Sequence, residues 1–279
     1  MVARVLSDPL FERFSRLVYQ ECGINLHNGK KELLQARLNK RLRAIGLDSY
    51  REYYDYITSP HNNGEIIHFL DCISTNLTYF FREPKHFEFL DQTALPQLIV
   101  NKTNDRNLRI RIWSAGCSTG EEPYSLAMCV LGHLNAPGKW DFRILATDIS
   151  TRVLQVGLNG VYPKEKVGKV PKALQETHFR RQRSQDGEVF EVSPMLKNIV
   201  TFRRVNLKEN YPFSGPFDFI FCRNVMIYFD KETQQHLVQK MAGYLSLGGY
   251  LMVGHSESLT GLHHSLAYVQ PSIYRKSGI

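Results

Sequence analysis

From about Phe81 onward, short apolar runs alternate with helical stretches, and this alternation constrains the fold more than any other feature of the chain. The runs are RIRIW (109 to 113), FRILAT (142 to 147), IVTFRRV (199 to 205), FDFIF (217 to 221) and GYLMVG (249 to 254). Strands separated by helices predict a parallel sheet with helices on both faces. The last segments, LAYVQ and SIYRK, are separated only by a short turn and predict an antiparallel hairpin that finishes the sheet. Upstream, from Pro9 to about Ser74, the pattern is helical. Leu10, Phe14, Leu17 and Val18 recur at helical spacing before Gly23, and Leu33, Leu34, Leu38 and Leu42 repeat in the next helix. Gly46 then predicts a stop and Asp48 a fresh N-cap. A third helix ends before Pro60, and a fourth spans about 65 to 73. This gives a helical domain with its linker over residues 1–80 and an α/β domain over 81–279.

Composition limits the function classes. A chain of 279 residues with 43% hydrophobic and 22% charged residues can bury one or two cores. The N-terminal MVARVLSDPLFERF carries charges among its apolar residues, and no uncharged run approaches the roughly 18 residues that span a bilayer, so secretion and membrane insertion are not expected. Cys22, Cys72, Cys117, Cys129 and Cys222 are odd in number and lack C-x-x-C spacing, which predicts neither a disulfide framework nor a metal site. A cytoplasmic protein is expected. The net charge of +8 favours an acidic partner. Charge is concentrated between His27 and Leu47, net +5, and between Lys164 and Arg204, also net +5.

Ligands of open α/β sheets bind beyond the carboxyl ends of the strands. After RIRIW comes SAGCSTGEEPYS, where Gly116 and Gly120 permit a tight turn before a helix starts near Glu122. The spacing is G-x-x-x-G without a third glycine, and Glu121 and Glu122 at a helix start would repel a pyrophosphate. A nicotinamide dinucleotide or a nucleoside triphosphate is therefore disfavoured. A ligand with a ribose and a positive charge but no phosphate fits better. Asp148, at the end of FRILAT, can accept from both ribose hydroxyls; it can also cap the helix beginning at Ser150. Together these features look like a class I S-adenosylmethionine methyltransferase. In FIFCRNVMIYF (219 to 229), Arg223 and Asn224 break an apolar run, which poses the question of what they serve.

The segments STNLTYFFRE (74 to 83), WSAGCSTGEEPYSLA (113 to 127), ATDIS (146 to 150), VNL (205 to 207), FCRNVMIYFD (221 to 230) and GHSESL closely resemble the chemotaxis-receptor glutamate methyltransferases, the CheR family. The resemblance covers nearly the whole chain. It implies a Rossmann-like, mostly parallel seven-stranded sheet, an N-terminal all-α receptor-recognition domain and a small antiparallel β-subdomain inserted at about 160–198. It further implies methyl transfer from S-adenosyl-L-methionine, leaving S-adenosyl-L-homocysteine, to glutamate side chains on the cytoplasmic helical bundle of a bacterial chemoreceptor. By that resemblance Asn76, Thr78, Arg82, Glu122, Asp148, Asn206, Leu207, Arg223 and Asn224 contact the cofactor, and Arg82 and Tyr228 stand near the transferable methyl. The Arg-Asn pair would then face the cofactor, the alternative being that it satisfies loop carbonyls.

A glutamate carboxylate needs no general base, because at neutral pH more than about 99% is already ionised with a reference pKa near 4.3. The Asp/Asn-Pro-Pro-aromatic stretch typical of nucleobase-amine methyltransferases is absent; this chain reads Arg-Asn-Val-Met. Cys117 and Cys222 raise the alternative of a cytosine-5 RNA methyltransferase, although neither lies in a Pro-Cys or Thr-Cys context. A non-catalytic S-adenosylmethionine-binding sensor is a further alternative, weakened by the presence of both Arg82 and Tyr228. The basic helix from about Lys30 to Arg43 is the expected receptor contact. In HFRRQRSQDGEVFEVS a turn at Asp186-Gly187 followed by VFEV predicts a hairpin. Some family members dock a receptor C-terminal peptide here through a Gly-x-Gly loop. This chain has Arg181-Gln182-Arg183-Ser184 instead, so peptide tethering is not expected.

Overall fold

The computed structural model describes residues 5–26, 28–61, 64–184 and 187–278. Four helices come first: α1 (Asp8–Cys22), α2 (Lys31–Ile45), α3 (Tyr50–Ile57) and α4 (Glu65–Ile73). Phe14, Leu34, Leu38, Leu42, Tyr53 and Phe69 form their common core. Gly23 and Gly46 end α1 and α2 in left-handed backbone. Two details depart from the sequence reading. The N-cap of α3 is Ser49, whose Oγ accepts from Arg51 N at 3.2 Å, and not Asp48. Leu33 is 40% exposed, because Leu34, Leu38 and Leu42 repeat every four residues and define a stripe one residue away.

α5 (Pro84–Phe89) and α6 (Leu95–Asn104) lead into β1 (Arg109–Ala115), α7 (Glu121–His133), β2 (Asp141–Asp148) and α8 (Thr151–Asn159). Next come β3 (Val161–Pro163), α9 (Lys164–Val167), α10 (Lys172–His178), β4 (Phe179–Ser184), β5 (Gly187–Val192) and α11 (Pro194–Ile199). β6 (Val200–Arg204), β7 (Phe217–Cys222), α12 (Lys231–Tyr244), β8 (Leu245–Val253), β9 (Leu266–Gln270) and β10 (Ile273–Lys276) complete the chain. The main sheet runs β6-β2-β1-β7-β8-β10-β9. Its first five strands are parallel, and β10 pairs antiparallel with both β8 and β9.

Side chains of a strand alternate between faces, so a continuous apolar run feeds two cores. In β7, Phe219 and Phe221 enter one core with Ile112 and Ile144, while Ile220 and Cys222 enter the other with Trp113 and Val253. The inserted strands form a separate antiparallel sheet ordered β3-β5-β4. VFEV lies in β5, and Asp186 of the predicted turn lies outside the described residues. Phe80 packs edge-on against Tyr162 and Phe179, which joins the linker to this small sheet.

Polar ties join the helical domain to the main sheet. Tyr19 Oη donates to Asp230 at 2.7 Å, Asn206 Nδ2 to Glu21 O at 2.6 Å, and Thr151 Oγ1 to Asp71 at 2.7 Å. Asn25 N donates to Tyr228 O at 2.8 Å. No helix among the described residues is long and apolar enough to cross a membrane.

Candidate active site

The carboxyl ends of β1, β2, β6 and β7 and the linker after α4 open into one cavity of about 280 Å³. All ten residues singled out from the sequence line it: Asn76, Thr78, Arg82, Glu122, Asp148, Asn206, Leu207, Arg223, Asn224 and Tyr228. Lys30, Leu33, Leu34 and Arg37 of the helical domain line it as well.

The turn after β1 depends on its glycines. Gly116 has φ +83° and Gly120 φ +93°; a Cβ at Gly116 would collide with Val225, and one at Gly120 would lie 2.9 Å from Gly157 Cα and Tyr162 Oη. The close approach is thus to neighbouring chain segments. The two acids that follow differ in role. Glu121 is fully buried and paired with Lys166 at 2.5 Å, away from the cavity, so only Glu122 presents charge to it. Glu122 accepts from Ser114 Oγ at 2.7 Å and lies 3.4 Å from Arg223 Nη1. Burial holds its carboxyl above the ordinary range despite Arg223.

Asp148 is anchored by backbone. Oδ2 accepts from Ser118 N and Oδ1 from Ser150 N, each at 2.9 Å, while Ser150 itself caps α8. Burial raises its carboxyl, opposed by these amides. The aspartate therefore fixes the turn after β1 and faces the cavity at once.

The linker and β7 meet across the Arg-Asn pair. Arg223 Nε lies 3.2 Å from Glu83 Oε2, its Nη2 donates to Arg82 O, and Nη1 has no hydrogen bond. Asn224 Nδ2 donates to Glu83 Oε1 at 3.2 Å. Both residues line the cavity, and the hydrogen-bond partners of their side chains belong to the linker: Arg223 satisfies a loop carbonyl, Arg82 O, and both hold the Glu83 carboxylate. Arg82 Nη1 donates to Leu77 O at 2.7 Å. Asn76 Nδ2 donates to Ser74 Oγ at 3.1 Å, and Ser118 Oγ donates to Asn76 O at 2.9 Å. The Asn206 amide is spent on Glu21 and Glu209.

Glu83 escaped the sequence reading although it adjoins Arg82. Glu83, His86 and His255 bring possible metal-ligating atoms within 4.8 Å of one another. Both Glu83 oxygens already accept from Arg223, Asn224 and the His255 amide, and the guanidinium would compete with any cation there. Burial, with the Arg223 charge, lowers the His86 imidazole to about 3 and keeps it neutral. Cys117 and Cys222 are buried, with thiols pushed well above their ordinary value by burial, so neither supplies the thiolate that a cytosine-5 mechanism needs.

Residues 76–274 match the family profile described as CheR methyltransferase, SAM binding domain, and residues 9–74 match CheR methyltransferase, all-alpha domain. The chain belongs to the CheR methyltransferase family. The chemotaxis protein methyltransferase of Borreliella burgdorferi is 43% identical over 267 residues, 95% of this chain and 93% of that relative. The protein of the same name from Escherichia coli K12 is 39% identical over 275 residues, 98% and 92% of the two chains. The CheR chain is thus a methyltransferase of the class I fold with S-adenosylmethionine as its cofactor, and relatives named as enzymes over nearly the full length do not favour the sensor alternative.

The cavity suits that cofactor. Buried Asp148 and partly buried Glu122 offer acceptors suited to hydroxyls and an ammonium; Arg82, and Arg223 through an Nη1 that makes no hydrogen bond and only a 3.4 Å ion-pair contact with Glu122, offer positive charge suited to a carboxylate. Ile149, Val205 and Leu207 supply apolar wall.

Proposed function

We propose that this chain methylates glutamate side chains of a bacterial chemoreceptor, forming carboxyl esters, in the cytoplasm. The single observation that carries the reading is the convergence of Arg82 and Tyr228 with the acids Glu122 and Asp148 on one cavity between the helical domain and the sheet. Bound S-adenosylmethionine supplies the electrophilic methyl group. Asp148 would hold ribose hydroxyls and Glu122 the cofactor's ammonium, with Asn76, Thr78, Asn206, Leu207, Arg223 and Asn224 completing the set.

A glutamate nucleophile arrives ionised, so the protein's task is to align it, a contribution that reaches about 7–11 kcal/mol in favourable systems. Arg82 steers the anion and Tyr228 donates a hydrogen bond that orients it. Too strong a bond would stabilise the ground-state carboxylate and slow attack, so both groups position and neither acts as a base.

The receptor contact proposed here is α2. Its basic face needs revision residue by residue. Arg41 is bound to buried Glu65 through Nε at 2.6 Å, Arg37 donates to Ile73 O and to Thr75 Oγ1, and Lys31 pairs with Asp8. Lys40 and Arg43 are exposed and remain the residues to meet an acidic helical bundle. In the inserted subdomain Lys164 and Arg181 pair with Glu188, and Lys197 with Glu191, so part of its positive charge is balanced locally.

Incubation with labelled S-adenosylmethionine and receptor-bearing membranes tests the reading. Label released by mild base identifies a carboxyl ester; base-stable label on receptor, or label on RNA, overturns it.

A further inference from the structure

One buried carboxylate outside the proposed cofactor and substrate contacts grips the loop that carries Asn224 and Tyr228. Glu257 belongs to the GHSESL turn after β8 and is 7% exposed. Its Oε2 accepts from Asn224 N at 2.8 Å and from Gly254 N at 2.5 Å, and its Oε1 accepts from Ile227 N at 3.1 Å. The turn is built around this group: a Cβ on Gly254 would lie 2.8 Å from Glu257 Oε2. Asn224 adopts φ +58°, a left-handed conformation uncommon for a side-chain-bearing residue. Burying a carboxylate is costly unless hydrogen bonds compensate, and here three backbone amides do so without an ion pair among the described residues.

We propose that Glu257 is a positioning residue for methyl transfer, holding the segment from Asn224 to Ile227 so that the Tyr228 hydroxyl meets the acceptor carboxylate. The inference rests on the role given to Tyr228 above. Tyr228 is fixed from two sides. Its carbonyl accepts from Asn25 N at 2.8 Å, and its own N–H closes a short turn onto Val225 O at 3.2 Å. Glu257 fixes the residue just before it. Releasing that hold lets the phenol swing and forfeits, in part or in full, the hydrogen bond that Tyr228→Phe deletes.

Glutamine makes a sharp probe. Each carboxylate oxygen faces at least one N–H, so an amide NH₂ in either orientation sets donor against donor. Glu257→Gln should reduce single-turnover methyl transfer at saturating cofactor by about two- to tenfold, no more than deletion of the Tyr228 hydroxyl itself. S-adenosylmethionine affinity should fall less than the rate, because Asn224 is the one side chain assigned to the cofactor that lies in the released segment. Amide exchange in the segment 223–230 should accelerate relative to β1 and β2, and Glu257→Asp, which keeps the carboxylate, should recover part of the rate.

The deciding measurement is the cycle with Tyr228→Phe. If Glu257 acts by placing the phenol, its replacement costs less once the hydroxyl is gone, and the double variant falls short of the product of the two losses. Multiplicative losses, unchanged turnover in Glu257→Gln, or a loss confined to cofactor affinity would each overturn the proposal. Should Glu257→Gln fail to fold, the same cycle run with Glu257→Asp decides it. Tyr228→Phe alone tests the tyrosine: if it turns over normally while Glu257→Gln is slow, both the tyrosine role and its placement by Glu257 fall, and base-labile receptor methylation still stands or fails by itself.

Discussion

In the proposed reading Asp148 performs two tasks with one carboxylate, holding the ribose hydroxyls and the turn after β1, and the consequence is measurable. Removing it takes acceptors from the ribose hydroxyls, and hydrogen bonds to a charged group are each worth about 1.5–3 kcal/mol. Asp148→Ala should therefore weaken S-adenosylmethionine binding by about that amount, roughly ten- to a hundredfold by titration calorimetry. It also strips the amides of Ser118 and Ser150 of their acceptor, so the thermal midpoint should fall as well while the protein still folds. Unchanged affinity in a folded variant would remove Asp148 from the cofactor site. Arg82 and Tyr228 separate differently. Arg82→Ala loses a permanent charge that water cannot replace, and single-turnover rate should drop about a hundredfold or more. Tyr228→Phe keeps the ring and loses one neutral hydrogen bond, about 0.5–1.5 kcal/mol or some two- to tenfold in rate. Near-normal turnover in Arg82→Ala with none in Tyr228→Phe would mean that the phenol acts chemically.

At the scale of the element, α2 holds charges with different duties, and substitutions should expose them. Lys40→Glu with Arg43→Glu reverses exposed charge alone, so the Michaelis constant for receptor should rise and its salt dependence flatten, with cofactor affinity constant. Normal receptor methylation by that pair at low salt would reduce α2 to a solvated face. Arg41→Glu is another matter. It places a carboxylate against Glu65, which is buried and also accepts from Tyr53 Oη at 2.8 Å, and breaking such a pair costs about 3–5 kcal/mol, read as a large fall in the denaturation midpoint. Nothing near Arg41 in sequence distinguishes it from Lys40, because its partner lies 24 residues downstream. The strands were legible for the opposite reason: a parallel strand covered on both faces must be apolar throughout, and FDFIF announces that in five residues. The cavity residues were legible because they follow strands directly or sit in long motifs. Glu83 and Glu257 were not, since Glu257 serves backbone amides, which look alike under every side chain, and Glu83 meets partners at least 140 residues downstream. The N-cap shifted from Asp48 to Ser49 because either residue type caps a helix and only the backbone decides which is in reach.

For the whole molecule, buried acids of opposite tendency predict that acidification empties the site before it unfolds the chain. Burial raises Asp148, Glu122 and Glu257 above their ordinary values. Burial also pushes Glu65 and Glu83 up, but Arg41 and Tyr53 at Glu65, and Arg223 with the His255 amide and Asn224 at Glu83, more than offset it and leave both lowered. Unfolded reference values are about 3.9 for Asp and 4.3 for Glu. A lowered carboxylate contributes stability that is present above its unfolded value and is lost only as pH falls through the folded value, here below about 4.3. Raised carboxylates take up protons earlier and hold them more tightly folded than unfolded, so their titration does not favour unfolding. As pH falls, then, there is an interval in which Asp148 and Glu122, raised by burial, lose charge while the Arg41–Glu65 and Arg223–Glu83 pairs, with their carboxylates lowered, keep the helical domain and linker in place. The S-adenosylmethionine dissociation constant should climb through that interval while far-UV circular dichroism stays constant, and Asp148→Asn, already uncharged there, should bind weakly with a shallower climb. Cofactor binding and secondary structure lost in one coincident transition would mean that these acids hold the fold together and not the ligand.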